Sequence, residues 1–107
     1  MERDIVSPMK IKRIKYHPEA KIEIQEAIKW YNRKTDGLGL EFVFEIKQAE
    51  VIILQNPEVW PFYVYDTRRY LLKRFPFAIV YLVSQDEIQI IAVAHCKRKP
   101  AYWASRL

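Results

Sequence analysis

The residues best suited to chemistry stand close together near the end of the 107-residue chain. His95 can move a proton near neutral pH. Three cations, Lys97, Arg98 and Lys99, follow it, and Tyr102 offers a second group that carries a proton. Lysine and arginine bind phosphate, so such a set could hold a phosphodiester while a neighbour transfers a proton, as RNA cleavage requires. The plainer interpretation is that His95 ends a strand and that the cations after it form a solvated run of charge.

A second basic group stands upstream of the strands that lead to the first. Its members are Arg68, Arg69, Lys73 and Arg74. Antiparallel pairing of the intervening strands would bring both groups onto one surface, which is the predicted target-binding surface. The chain has 18 Lys plus Arg against 13 Asp plus Glu, a net charge of +5. An anionic partner, either nucleic acid or an acidic protein, is therefore electrostatically favoured.

Several classes of site are excluded by what the chain lacks. It contains no nucleotide-binding loop or nucleophile elbow, and its two glycines are too few for a glycine-rich phosphate loop. Cys96 is the single cysteine, which excludes an internal disulfide and a multi-cysteine zinc cluster. We therefore expect neither metal nor cofactor.

The composition also predicts where the protein works. A single cysteine fits a reducing cytosol, and the acidic start MERDIVSPM does not resemble a signal peptide. The longest apolar run, around residues 75–83, is far shorter than the roughly 20 residues of a membrane helix. We expect a cytoplasmic protein that does not span a membrane.

The second half of the chain has the composition of a β-meander. Residues 70–75, 77–83 and 87–95 are rich in Ile, Val, Tyr and Phe, as strands prefer. A short polar link at residues 84–86 allows the last two to pair only as a hairpin. In the last strand Ala92 and Ala94 are predicted to share a face with Ile88 and Ile90, where small side chains would let a helix approach.

The first half predicts a strand followed by two helices. Residues 1–9 are expected to form a loose arm, and residues 10–16 a short strand at or near a sheet edge. Pro18 is suited to open a helix with His17 as its cap, and Gly37 to reverse the chain after it. A second helix is expected over residues 38–55.

The buried face of the second helix is predicted from helical spacing. It comprises Phe42, Ile46, Ala49 and Ile53. Phe44, Val51 and Leu54 widen the apolar surface of this helix, and we expect the sheet to cover them.

Together these elements predict one α+β domain over residues 1–107. Its order is strand, helix, helix, strand, strand, strand, with an antiparallel sheet packed on a helical hairpin. The aromatic segment at residues 58–66 is expected to seal an edge of the core rather than to stack nucleic-acid bases. Trp103 is likewise expected to anchor the core.

Three stretches of this chain resemble the RelE/ParE superfamily of bacterial toxins, the growth-arresting halves of type II toxin–antitoxin pairs. They are KYHPEA before the first helix, RRYLLKRFPFAIVY in the middle strands and IIAVAHCKRKPAYW at the end. The resemblance covers residues 10 to 103. It implies a compact toxin that is neutralised by a cognate antitoxin, a segment of which wraps the toxin surface.

The resemblance leaves the activity open between two branches. RelE-like members cut messenger RNA in the ribosomal decoding site, using two arginines and a late tyrosine; the matching positions here are Ala78, Cys96 and Tyr102. Alanine and cysteine lack the guanidinium fork that holds a phosphate transition state. ParE-like members instead bind DNA gyrase and stabilise its cleaved complex with DNA, and the chain looks closer to them.

Two alternatives to gyrase binding remain at this point. His95, Arg98 and Tyr102 could form a different ribonuclease set with Arg69 or Lys73 across the sheet. His95 would be the base, Arg98 would stabilise the phosphorane and Tyr102 would orient the substrate. The chain could also be a degenerate toxin that only binds antitoxins.

Overall fold

The computed structural model describes residues 12–107, so the predicted arm at residues 1–9 and the first residues of the predicted edge strand lie outside it. Four strands and two helices make up the fold. They are β1 (Arg13–Tyr16), α1 (Pro18–Lys34), α2 (Leu38–Gln55), β2 (Arg68–Leu71), β3 (Phe77–Val83) and β4 (Glu87–His95). The element order is the predicted one.

The strands form one sheet in the order β1-β4-β3-β2. β2, β3 and β4 pair antiparallel, as predicted. β1, however, pairs with β4 in parallel, so the sheet is mixed rather than wholly antiparallel. A parallel neighbour needs a long crossover, which the helical hairpin and the two intervening strands provide.

Local sequence signals set the ends of both helices. His17 caps α1, because its Nδ1 accepts the backbone N–H of Glu19 at 3.0 Å, and Pro18 needs no partner at the first helical position. Gly37 has a φ of 84°, a left-handed conformation that lets the chain reverse between the helices. α2 ends at Gln55, just before the predicted stop at Asn56.

β2 lies further towards the N-terminus than predicted. It spans Arg68–Leu71 rather than residues 70–75. The cause is Glu45, a buried carboxylate on α2 that accepts the backbone N–H groups of Lys73 and Arg74. These amides bind a side chain instead of a strand, so residues 72–76 form a tight connection to β3.

Where β3 and β4 pair, β4 uses one residue more than β3. Ala92 pairs with Val80 of β3. Ile90 pairs with Tyr81, the very next residue of β3, so Ile91 has no opposite residue and forms a β-bulge. A bulge shifts the alternation of side chains along a strand.

The bulge places the alanines of β4 on the face that lies away from the helices. The prediction that Ala92 and Ala94 share a face with Ile88 and Ile90 is therefore wrong. The two isoleucines pack in the core beneath the helices, whereas the two alanines belong to a second cluster that Trp103 covers. Trp103 is 2% exposed, which confirms its predicted role as a core anchor.

The helices cover one face of the sheet with large apolar side chains. The predicted stripe of α2 is buried there, namely Phe42, Ile46, Ala49 and Ile53. The sheet does not cover the rest of the apolar surface of α2, contrary to expectation: Phe44 is 60% exposed and Val51 is 54% exposed. A helix resting on a flat sheet buries one stripe, and these side chains lie outside it.

No helix within residues 12–107 is long and apolar enough to cross a membrane.

Candidate functional site

A pocket of about 120 Å³ lies on the sheet face opposite the helices. Its floor is formed by short side chains of two neighbouring strands, Ala78 and Val80 of β3 and Ala94 of β4. Its walls come from His95 at the end of β4, from residues 96 and 98–103, which turn back across the sheet, and from Tyr63 and Arg69. We call this feature the basic pocket. It exists because small residues, rather than the bulky ones of the other face, point into it.

Two arginines from different parts of the chain meet at the basic pocket. Arg69 reaches it from β2, and its guanidinium carbon lies 4.2 Å from the ring centre of Tyr63. Arg98 reaches it from the segment after β4 and lies 3.7 Å from the ring centre of Tyr102. Such cation–π contacts hold a guanidinium without neutralising its charge. Antiparallel pairing thus unites one member of each predicted basic group.

No described carboxylate forms an ion pair with the cations of the basic pocket. Lys99 adds a third cation to the wall beside Arg98. The turn that carries them is tight: Ala101 has a φ of 59°, a left-handed conformation that is uncommon for a residue with a side chain. Among residues 12–107, the pocket therefore presents three cations without a carboxylate in ion-pair contact.

His95 lines the basic pocket, but one ring nitrogen is already occupied. Its Nδ1 accepts the backbone N–H of Lys97 at 3.0 Å, and its ring packs edge-on against Phe77 with the centres 5.0 Å apart. In the neutral form the ring proton is then on Nε2, so His95 offers a donor to the pocket. This tautomer is not the one that a general base at Nε2 needs.

The hydroxyl of Tyr102 is also committed. It donates to Oε2 of Glu23 at 2.5 Å. Burial, followed by the hydrogen bond and the charge of Glu23, raises the pKa of Tyr102 well above its ordinary value. Tyr102 thus stays protonated near neutral pH and contributes its ring, not a mobile proton, to the pocket.

The remaining members of the predicted target-binding surface lie elsewhere. Arg68 donates to the backbone carbonyls of Glu58 and Trp60, the latter at 2.7 Å. Arg74 pairs with Glu41 of α2 at 2.6 Å, on the helical side. Alternation along β2 separates Arg68 from Arg69, since neighbouring side chains of a strand point to opposite faces.

Two further lysines of the predicted surface also lie outside the basic pocket. Lys73 lines two grooves beside β2 and α2 instead. Lys97 is exposed after β4. Of the seven predicted target-binding residues, the structure brings together Arg69, Arg98 and Lys99 with the predicted His95 and Tyr102.

Sequence reasoning missed Glu23, Arg106 and Tyr63. The carboxylate of Glu23 reaches β4 and the end of the chain. A signal was present in the spacing, because Glu23 is three residues after Ala20 and four before Ala27, both buried. A carboxylate on the buried stripe of a helix needs partners.

Comparisons with known proteins support the fold but do not establish the function. No family model and no curated protein matches the chain. One solved chain that does match comes from a structure described as the chromosomal ParDE TA (toxin–antitoxin) system from P. aeruginosa. The TM-score is 0.73 at 20% sequence identity, and the match covers 83% of this chain and all of that chain. The predicted RelE/ParE-like α+β fold is thereby confirmed.

Proposed function

We propose that this protein is the toxin of a type II toxin–antitoxin system, which arrests bacterial growth by binding DNA gyrase and stabilising its cleaved complex with DNA. A cognate antitoxin neutralises it, and both act in the cytoplasm. The fold shared with a chain of a ParDE system supports the first part of this proposal. The choice of gyrase over a ribonucleolytic target rests on the basic pocket.

The observation that carries the proposal is how the two arginines of the basic pocket are held. Arg69 and Arg98 rest on tyrosine rings at 4.2 and 3.7 Å, and no carboxylate of residues 12–107 pairs with them. Their charge therefore remains available to an anionic surface, and their positions are fixed before a partner arrives. Pre-organised charge of this kind favours fast and specific docking.

The same pocket is poorly equipped for catalysis. Ala78 and Cys96 occupy positions where the RelE-like pattern has arginines. Nδ1 of His95 and the hydroxyl of Tyr102 are both used within the protein. A docking surface requires none of these groups to be free, whereas general acid–base cleavage does.

The exposed apolar surface of α2 suits the proposed antitoxin. Phe44 and Val51 are each more than half exposed on the outer side of the helix. They lie on the side of the sheet away from the basic pocket, so an antitoxin segment and a target could occupy different faces. We propose this surface as part of the contact with the antitoxin.

Charge reversal tests the proposed docking site. Arg98→Glu should weaken the binding of purified gyrase about tenfold or more and reduce the dependence of binding on salt, because one attractive charge becomes repulsive. Lys29→Glu is the matched control: it changes the net charge equally, on the exposed outer side of α1. Unchanged gyrase binding by Arg98→Glu, or equal weakening by the control, would remove the basic pocket as the docking site.

A second candidate is a ribosome-dependent mRNA endonuclease. The structure favours keeping it because Arg69, His95 and Arg98 line one pocket. His95 would then act as a base once Nδ1 is released from its contact with the backbone N–H of Lys97. In this case His95→Ala should abolish toxicity at temperatures where the variant is folded, and retained toxicity would exclude His95.

A single induction experiment distinguishes gyrase binding from mRNA cleavage. The protein would be induced alone in bacteria, and new RNA 5′ ends would be mapped within minutes beside a DNA-damage reporter. Damage signalling without ribosome-phased cuts supports the gyrase proposal. Phased cuts in coding sequence with a quiet reporter would overturn it, and absence of growth arrest would point to a binding-only protein.

A further inference from the structure

Glu23 is a mostly buried carboxylate that contacts three separate parts of the chain. Its side chain is 14% exposed, in the second turn of α1. Oε1 accepts the backbone N–H of Val93 at 2.9 Å and Nη1 of Arg106 at 3.0 Å. Oε2 accepts the hydroxyl of Tyr102 at 2.5 Å and Nη2 of Arg106 at 2.9 Å. Four donors on two oxygens satisfy the carboxylate, as a buried charge requires.

The contacts of Glu23 lie where β4 loses its outer neighbour. β1 pairs with β4 only as far as Ile90. Beyond that point the N–H of Val93 binds Glu23, and the carbonyl of Ile91 accepts Nη1 of Arg106 at 3.1 Å. Glu23 and Arg106 thus replace the missing strand at this edge. They also tie residues 96–107 to α1 and β4.

Arg106 is held as firmly as its partner. Its side chain is 13% exposed. Burial acts to lower the pKa of Arg106, but the hydrogen bonds and charge of Glu23 outweigh it, so the pKa is raised. Removing either partner would leave the other charge mostly buried and uncompensated, which is strongly unfavourable.

Tyr102 connects this buried pair to the basic pocket. Its hydroxyl is fixed by Glu23, and the same ring carries the guanidinium of Arg98 at 3.7 Å. Arg98 itself is exposed, and a long exposed side chain is otherwise free to sample many rotamers. The place of Arg98 therefore depends on the place of the tyrosine ring.

We propose that Glu23 is a positioning residue for the basic pocket: through Tyr102 and Arg106 it fixes the wall that holds Arg98 over the tyrosine ring. The effect on target binding rests on the function proposed above. The positioning itself is a property of the protein alone, and it can be tested without any target.

The test is the NMR signal of the Arg98 Nε–H group in the purified full-length protein. A guanidinium above an aromatic ring is shifted upfield by the ring current, so we expect an upfield-shifted Arg98 signal in the wild type. Glu23→Gln removes the charge and one of the two acceptor oxygens, and the signal should return to the position of a free arginine. Glu26→Gln, an exposed position on the same helix, is the matched control and should keep the shift.

Tyr102→Phe is a second variant, which tests the proposal if Glu23→Gln does not fold. It keeps the ring but removes the hydroxyl that Glu23 holds, so the Arg98 shift should fall to about half or less. A full upfield shift of Arg98 in either variant would overturn the proposal, as would its absence in the wild type.

A mutant cycle with target binding shows whether Glu23 acts through Arg98. Glu23→Gln should weaken binding about tenfold in the wild-type background and leave it unchanged in Arg98→Ala. Equal losses in both backgrounds would mean that Glu23 only stabilises the fold, and would overturn the proposal. If the wild type binds neither gyrase nor the ribosome, the proposed function fails, and the NMR comparison alone decides the role of Glu23.

Discussion

The two faces of the sheet are built from different kinds of side chain. Towards the helices, bulky strand residues such as Ile79, Tyr81 and Ile88 are completely buried. On the opposite face, Ala78 and Ala94 leave a pocket, and neither α1 nor α2 lies over them. Twelve residues after β4 close that face instead, with Trp103 as their largest buried side chain.

The difference separates stability from recognition. Burial of apolar side chains is the main driving force of folding, and the larger of the two core clusters lies on the helical face. The other face contributes less burial, and it holds its closing segment with polar contacts centred on Glu23. A surface that is held by directed contacts can keep an exposed pocket in a fixed shape without filling it.

The largest expected effect concerns the helical face. Phe42→Ala should lower the free energy of unfolding by about 3–5 kcal/mol, because it empties a site that packs against Tyr31, Phe75 and Phe77. Phe44→Ala, two residues along α2 but 60% exposed, is the control and should change it by less than about 0.5 kcal/mol. Urea denaturation measures both. Similar losses for the two variants would contradict the assignment of the core.

A substitution on the pocket face is expected to lower stability less than Phe42→Ala and to weaken target binding more. Ala94→Leu should fill the floor of the basic pocket, costing about 1–3 kcal/mol of stability through overpacking. We expect target affinity to fall at least about tenfold. Phe42→Ala is the reference, since it should lose more stability yet keep its affinity at temperatures where it is folded. If affinity follows stability in both variants, the two faces are not separate in function.

The smallest effect is an alkaline loss of stability that both faces share. Burial raises the pKa of Tyr81 to about 12, although the charge of Arg68 acts to lower it, and the pKa of Tyr102 is raised as described above. Below about pH 10 these tyrosines are protonated in both the folded and the unfolded chain. Above it the unfolded chain loses its protons first, so stability falls as the pH rises towards the folded pKa.

Phenylalanine variants measure the share of each face in that loss. Tyr81→Phe and Tyr102→Phe should each make the fall of the urea midpoint between pH 8 and pH 11 shallower. A slope that neither variant changes would exclude both tyrosines as its source.

Much of the fold was predictable because it depends on local signals. Pro18, Gly37 and the short link at residues 84–86 fix where elements begin and end, and these boundaries agree with the structure. The direction of β1 was not predictable in this way. Its partner is about seventy residues away, and nothing within β1 itself specifies whether the pair is parallel.

Part of the candidate site was predictable because it depends on the pattern of the strands. Arg69 and Arg98 meet because antiparallel pairing brings the two ends of the meander together, and that pairing was evident from the strand pattern. Arg68 and Arg74 were assigned to the same surface because proximity in sequence does not reveal the facing of each side chain. The shortened β2 and its alternation decided that.

The sequence by itself determined the element order, the helix ends and the presence of two basic groups around a meander, since each depends on residues close together along the chain. Only the tertiary structure decided which face of the sheet the side chains of β2 and β4 occupy. One extra residue at Ile91 moved two alanines to the other side of the sheet, and Glu45 ended β2 early. Both effects come from contacts between distant residues, and the basic pocket depends on them.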